Sequence, residues 1–404
     1  MSVGYRTPAA LHGLKVVSRV TQLRTAEVVV PNARAERTLR TRPGIRFVQR
    51  TVARTDTGSV SAPLTTGGVS VPEWQWTATH ADLVPSWVQD AAHNITIAVV
   101  DTGADVLVPT LAAKQPVTWN VASGTSTVHD AIGHGTFVAS LAAGGGSDPA
   151  GMLGFGGQAQ LMIVQANRGG ASFSDIDEAN AIIYAVDHGA NIINLSLGGT
   201  QTSITERNAI DYATSHGVLL VAAAGNSAEQ GNPVMYPAAL IGRSGLVVGA
   251  AGPSGTRASF STMGSYVDVL APGVDVLGAL ATGIPNTFFN PVATPGASGA
   301  YGTGSGTSYA TPEVAGTAAL VWAANPKLDA TGVAEMIEGT ASGAGVWNGE
   351  LAFGNINAAA AVARASTGTT PSLSWPAALP GPKLLKTPKA KPRAVAKKPK
   401  RARR

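Results

Sequence analysis

"ITIAVVDTGAD", residues 95–105, is a run of β-branched and small apolar residues that stops at an Asp-Thr-Gly step. A short run that is apolar throughout, with no polar alternation, predicts a strand buried on both faces, as in a parallel sheet. Similar runs follow: "LMIVQA" (161–166), "NIINLSLG" (191–198), "GVLLVAAAGN" (217–226) and "GLVVGAA" (245–251). Between them lie helical patterns at 135–143, 174–189 and 203–217. In the second of these, Ile176, Ala179, Ile183 and Val186 recur at helical spacing, Ser174 suits the N-cap and Gly189 the close. The alternation predicts an α/β fold: a mostly parallel, doubly wound sheet flanked by helices in three layers. Ligands of such sheets lie beyond the carboxyl ends of the strands, and Asp101 stands at one.

Composition agrees with a folded body between two basic ends. The chain has 404 residues, 44% hydrophobic and 13% charged, so most of it can bury a core. Residues 1–60 hold eleven Lys/Arg against three Asp/Glu, and residues 365–404 hold eleven against none. The middle, 61–364, holds seven against twenty-one, so a net charge of +5 conceals +8, −14 and +11. There is no Cys, which excludes a disulfide framework and a thiolate zinc site. No stretch approaches the ~20 apolar residues that a membrane-spanning helix needs. The end of the chain, "KLLKTPKAKPRAVAKKPKRARR" (383–404), alternates Pro with Lys and Arg and is expected to stay disordered.

The first 52 residues form a small unit, with two β-like runs around a short basic helical stretch. The Thr-rich segment from 53 to 72 is expected to be a linker with a processing site between Arg50 and Glu73. The body is expected over 73–366 and the tail over 367–404. "MSVGYRTPAALHGLKVVSRV" lacks the apolar stretch of a signal peptide, so the chain either is not exported in this form or starts incomplete.

Four residues stand out as carriers of chemistry. Taken singly, each has a bland explanation. Asp101 could be a turn or cap residue, His134 in "GHGTFVAS" (133–140) incidental, Asn226 part of a close-packed "AAAGN", and Ser308 in "GTSYATPEVAG" (306–316) a simple N-cap. Together they supply a nucleophile, a base, a carboxylate to fix the base and a donor for an oxyanion. Each has a glycine within two residues, and they run in the order Asp, His, Asn, Ser.

At these four motifs the chain resembles the subtilisin-like serine proteases (subtilases), whose triad order and amide oxyanion donor are already established. The likeness runs from about Gln75-Trp76 to "FGNINAAAAV" (353–362). It implies that Asp101 orients the imidazole, His134 acts as base and then acid, Ser308 forms the acyl-enzyme, and Asn226 holds the oxyanion. It also implies polypeptide substrates, a monomer, and a location outside the cell or at its surface. "LSLGG" and "AAAGN" match the walls of the pocket for the residue before the scissile bond. Those walls, Leu197, Gly198 and Gly199 facing Ala223, Ala224 and Gly225, carry no charge, which implies a preference for large apolar residues. Gly169, Gly170 and Ala171, in "RGGASFS" (168–174), belong either to an edge that pairs with extended substrate or to a plain glycine-rich loop. Pro312 is expected at about the fourth helical position after Ser308.

The chain departs from the family in several places. Where subtilases carry a carboxylate that binds a structural calcium, this chain reads Val108-Pro109-Thr110-Leu111; no cofactor is expected to be required, and any calcium would bind elsewhere. Tyr309 replaces the usual Met after the nucleophile, and Glu313 replaces a His. The N-terminal unit resembles the later part of a subtilase propeptide, through "AEVVVP" and "PGIRFVQR", with an earlier strand and helix missing. Such a unit would act as an intramolecular inhibitor, and its charge opposes that of the body. The basic tail suits an anionic surface or nucleic acid, or serves only to solubilise. A catalytically silent binding protein held on a polyanion by that tail is the competing reading.

Overall fold

The structure is a computed structural model that describes residues 1–56, 73–146, 152–242, 245–292, 294 and 296–374. The expected linker beyond residue 56 and the tail beyond residue 374 lie outside the described residues.

The N-terminal unit is a four-stranded antiparallel sheet, not two runs around a helix. Its strands are β1 (Ser2–Tyr5), β2 (Val16–Val20), β3 (Thr25–Val28) and β4 (Ile45–Gln49), in the order β2-β3-β1-β4, with a helix over Ala33–Thr41. Ser2–Tyr5, too short to show alternation, fills the interior position that the sequence leaves without a strand. Val3, Tyr5, Leu11, Ala26, Val28, Leu39 and Val48 make this unit's own core.

The next strand, β5 (Ala53–Asp56), occupies residues expected in the linker. The body then builds its main sheet from β6 (Thr96–Asp101), β7 (Val117–Asn120), β8 (Gln160–Gln165), β10 (Ile192–Leu195), β12 (Leu219–Ala223), β13 (Leu246–Ala251) and β14 (Val269–Pro272). The order is β14-β13-β12-β10-β6-β8-β7, and all six pairings are parallel. Two short strands, β9 (Ser172–Ser174) and β11 (Leu197–Gly198), stand outside this sheet.

Burial on both faces explains the unbroken apolar runs. Ile97 and Val99 point into the core that holds the helices His134–Ala143 and Thr307–Ala324, while Ala98 and Val100 point into the core under Asp175–Asp187 and Ile204–Ser215. The two flanking strands β7 and β14 are short, and β14 ends in Pro272, which a sheet tolerates at its edge. The ordered body also extends past residue 366. Trp347 N donates to Ser374 O and Leu373 packs on the main core, so residues 367–374 belong to the body.

The Thr307–Ala324 helix runs through the middle of the main core and is buried over nearly its whole length. Thr307 is its first residue, which places Pro312 sixth in the helix, later than the position expected from Ser308.

Candidate active site

Asp101 ends β6, and His134 opens the His134–Ala143 helix. His134 Nδ1 lies 2.8 Å from Asp101 Oδ1. Since an ionised carboxylate only accepts, Nδ1 carries the hydrogen, and Nε2 is the ring nitrogen left for another partner. Asp101 Oδ1 also accepts from Thr102 N at 2.7 Å. The close approach needs Gly135: a Cβ there would stand 2.0 Å from Gly103 O and 3.1 Å from Asp101 Oδ1.

Asp130 sets the start of that helix. Its carboxylate accepts from Ile132 N at 3.1 Å, Gly133 N at 2.7 Å, and Thr136 N and Oγ1 at 2.8 and 2.6 Å. It also takes the Thr102 hydroxyl at 2.9 Å, which joins the strand end that carries Asp101 to the helix that carries His134. A carboxylate at a helix N-terminus is favoured by the partial positive charge there.

Ser308 is the second residue of the central helix. Its Oγ donates to Ser196 O at 2.9 Å, while His134 Nε2 has no hydrogen-bond partner among the described residues. Asn226 follows β12, and its Oδ1 accepts from both Thr307 N and Thr307 Oγ1 at 2.9 Å. With the carbonyl end of the amide tied down, its NH2 end is turned the opposite way as the donor. The structure therefore brings Asp101 and His134 into direct contact and keys Asn226 to the helix turn that carries Ser308.

A strand of the N-terminal segment lies beside these residues. Strand β5 lies antiparallel between β11 and β9, with Asp56 opposite Leu197, Thr55 opposite Gly198 and Arg54 opposite Phe173. The pairing wall on one side is Ser172–Ser174; Gly169, Gly170 and Ala171 sit in the bend that precedes it. On the other side Leu197 and Gly198 form β11, and Gly199 bridges to Tyr236. Ala223 ends β12, and Ala224 and Gly225 follow it to Asn226, with Gly225 N donating to Thr307 Oγ1 at 3.1 Å. Asp101, His134 and Ser308 are all fully buried in this state.

Asp56 brings a carboxylate to the imidazole. Burial disfavours the charged ring, but the charge and hydrogen bond of Asp101, with Asp56 and Asp130 behind it, outweigh burial and push His134 up to about 9. Asp56 itself is raised, by burial first and by Asp101 and Asp130, against the pull of His134.

The N-terminal sheet docks on the starts of two helices. Asp175 accepts from Ser2 Oγ at 3.2 Å, Val52 N at 3.2 Å and Ser203 Oγ at 2.6 Å. Gln49 bonds Thr202 O at 3.2 Å and Ile204 N at 3.1 Å.

Thr110, at the position that would need a calcium-binding carboxylate, is buried in a short helix with its hydroxyl unpartnered among the described residues. Among the described residues no group of three or more His, Asp or Glu is placed to hold a metal ion.

Sequence reading missed Asp130, Ser196, Asp56 and the side chains around Arg54. "HDAIGHG" does place an acid four residues before His134, a signal a helix-start reading could have used.

Residues 92–368 match the model of the Subtilase family. Subtilisin NAT of Bacillus subtilis subsp. natto is 36% identical over 257 residues, covering 62% of this chain and 61% of that protein. Thermitase of Thermoactinomyces vulgaris is 37% identical over 282 residues, covering 69% of this chain and 91% of that protein. Fervidolysin from Fervidobacterium pennivorans, a keratinolytic enzyme related to subtilisin, superposes with a TM-score of 0.75 at 25% identity, covering 90% of this chain and 60% of that one. The match thus spans about three fifths of subtilisin NAT's own length.

Proposed function

The chain belongs to the subtilase family, and from that membership we propose that it is a serine endopeptidase working through an acyl-enzyme. The carrying observation is the 2.8 Å contact of His134 Nδ1 with Asp101, on a helix packed against the buried helix whose second residue is Ser308 and whose third, Tyr309, has its ring 5.6 Å from that of His134. In this reading His134 Nε2 takes the proton of Ser308 Oγ as the oxygen attacks a peptide carbonyl. The carbonyl oxygen becomes an anion held by the Asn226 amide and by backbone N–H groups at the helix start. His134, now cationic and stabilised by Asp101, gives its proton to the departing amine, and water repeats the sequence to free the acid.

Strand β5 of the N-terminal segment lies between β11 and β9 beside this centre, an arrangement that supports an inhibitor unit released by processing. The strand position of β5 points to a cut beyond Asp56 and before Glu73. Uncharged walls at Leu197, Gly198, Gly199, Ala223, Ala224 and Gly225 support large apolar residues before the scissile bond. We place the protein outside the cell or at its surface, acting as a monomer on polypeptides with no required cofactor, and assign the basic tail to an anionic surface.

One experiment tests the core of this reading. The full chain and its Ser308→Ala variant are compared for fluorophosphonate labelling, casein hydrolysis and loss of the N-terminal segment by mass spectrometry. Labelling, hydrolysis and loss in the native chain alone are expected. A native chain that neither labels nor cuts casein would return the protein to the silent binding class.

A further inference from the structure

Arg54 is the one strand residue of β5 whose charged side chain is wholly inside the protein, with 0% of it exposed. Its guanidinium enters a recess behind the cleft and meets two carboxylates that belong to the body. Nε donates to Glu206 Oε1 at 2.7 Å, and Nη2 reaches the same oxygen. Glu178 Oε2 stands 3.6 Å from Nε. Both glutamates are buried, one on each of the helices Asp175–Asp187 and Ile204–Ser215. Gly199 lies at the rim: a Cβ there would be tight against Ala53 O at 3.1 Å and in ordinary contact with Arg54 Nη1 at 3.4 Å and Cδ at 3.6 Å.

The two carboxylates are built into the enzyme body, whereas the cation comes from a segment expected to leave on processing. Once Arg54 departs, Glu178 and Glu206 are left facing each other in a recess without a counter-ion. A buried carboxylate without a partner is costly or takes up a proton, and burial already raises both glutamates, so the occupant that lets them ionise is one that returns a planar, permanently charged donor to the same place. An apolar side chain would cover both carboxylates with nothing to pair them, and an acidic one would add a third negative group.

We propose that Glu178 and Glu206 form a specificity pocket that selects arginine in substrates at the strand position now filled by Arg54, two residues before the one opposite Leu197. Substrates would then be polypeptides presenting an extended segment of the type Ala-Arg-Thr-Asp, as residues 53–56 do. Selection at this recess is independent of the uncharged pocket next to Ser308. It rests on reading the cleft as a protease site.

The test uses the processed enzyme obtained from the full chain and internally quenched peptides copied from Arg50–Ser59, with Arg, Leu or Glu at the Arg54 position. The Arg peptide is expected to exceed the Leu peptide by ~100-fold in kcat/KM, with the Glu peptide lower still. In the double variant Glu178→Gln, Glu206→Gln the Arg advantage is expected to collapse, with fluorophosphonate labelling of Ser308 reporting that the variant is folded. If that variant does not label, Arg54→Leu in the full chain serves instead and is expected to weaken docking of the N-terminal segment, read as faster labelling of the unprocessed chain. Casein hydrolysis with equal rates on the Arg and Leu peptides, or an Arg advantage unchanged in the folded double variant, would overturn the proposal while leaving the protease reading intact. Absence of both labelling and casein hydrolysis in the native chain overturns the two together.

Discussion

Ser196 Oγ donates to the backbone carbonyl of Ser308 at 2.8 Å. That carbonyl is the one Pro312 cannot serve, because proline has no N–H to give four residues back in the helix. The proline therefore opens a carbonyl beside the nucleophile, and a neighbouring strand end fills it. Asn194 Nδ2 in turn donates to Ser196 Oγ at 2.9 Å, so the hydroxyl is fixed from both sides.

Ser196→Ala should remove both the hydrogen bond given to the Ser308 carbonyl and the one accepted from Asn194 Nδ2, inside the protein. The expected cost is ~1–2 kcal/mol of stability, the usual scale for lost buried hydrogen bonds. As a positioning residue, Ser196 should affect kcat more than KM. Thermal unfolding and steady-state kinetics on a single peptide check this; a KM effect with kcat unchanged would count against the positioning role.

Asp56 should govern how the unprocessed chain responds to pH. While β5 is docked, His134 is held up to about 9, and a cationic imidazole cannot accept the serine proton. The raised imidazole stabilises the folded chain fully below its ordinary value near 6.5, a contribution lost as pH rises through about 9, and Asp56 supplies the part of it, behind Asp101, that depends on docking. Labelling of the full chain by a fluorophosphonate should therefore climb across that window. Asp56→Asn removes one of the raising charges and should move the climb to lower pH. Imidazole titration by NMR in the Ser308→Ala background gives the same answer directly, and an unmoved His134 would refute it.

The parts of this molecule that could be read from the sequence are those written in local pattern. The run 95–101 shows its double burial in its own composition, and Ser174 shows its capping role by standing before a helical period; its Oγ accepts from Asp177 N at 3.0 Å. The motif residues Asp101, His134, Asn226 and Ser308 were legible because small residues surround them. Arg54, Glu178 and Glu206 were not, since their meeting depends on a strand laid between two others from distant parts of the chain. A Glu on a helix reads as solvated until its neighbours are known. The N-terminal sheet was illegible for a related reason: β1 has only four residues, and its place between β3 and β4 is set by pairing, not by alternation.

Tyr309 should protect the enzyme from peroxide. It is fully buried, with its ring 5.6 Å from that of His134 and 4.7 Å from that of Phe137. No thioether therefore directly follows the nucleophile, and a phenol resists mild peroxide where a methionine does not. Native activity should survive such treatment, whereas Tyr309→Met should lose most of it on the same time scale. Equal loss in the two proteins would show that oxidation acts elsewhere.

Glu313 lies within the central helix, fully buried, and neither carboxylate oxygen has a hydrogen-bond partner among the described residues. Burial pushes its carboxyl well above the ordinary range, so the folded protein holds it neutral where the unfolded chain ionises it. Folding then takes up a proton, and stability falls as pH rises above ~4.5, by roughly 1 kcal/mol for each pH unit until the folded-state value is reached. Glu313→Gln keeps the shape and removes the titration. The variant should therefore match the native protein near pH 4 and surpass it increasingly toward pH 8, measured by denaturant unfolding of the Ser308→Ala chain so that self-digestion does not intervene. Parallel stability curves for the two proteins across that range would mean that the Glu313 carboxyl is ionised and compensated in the fold.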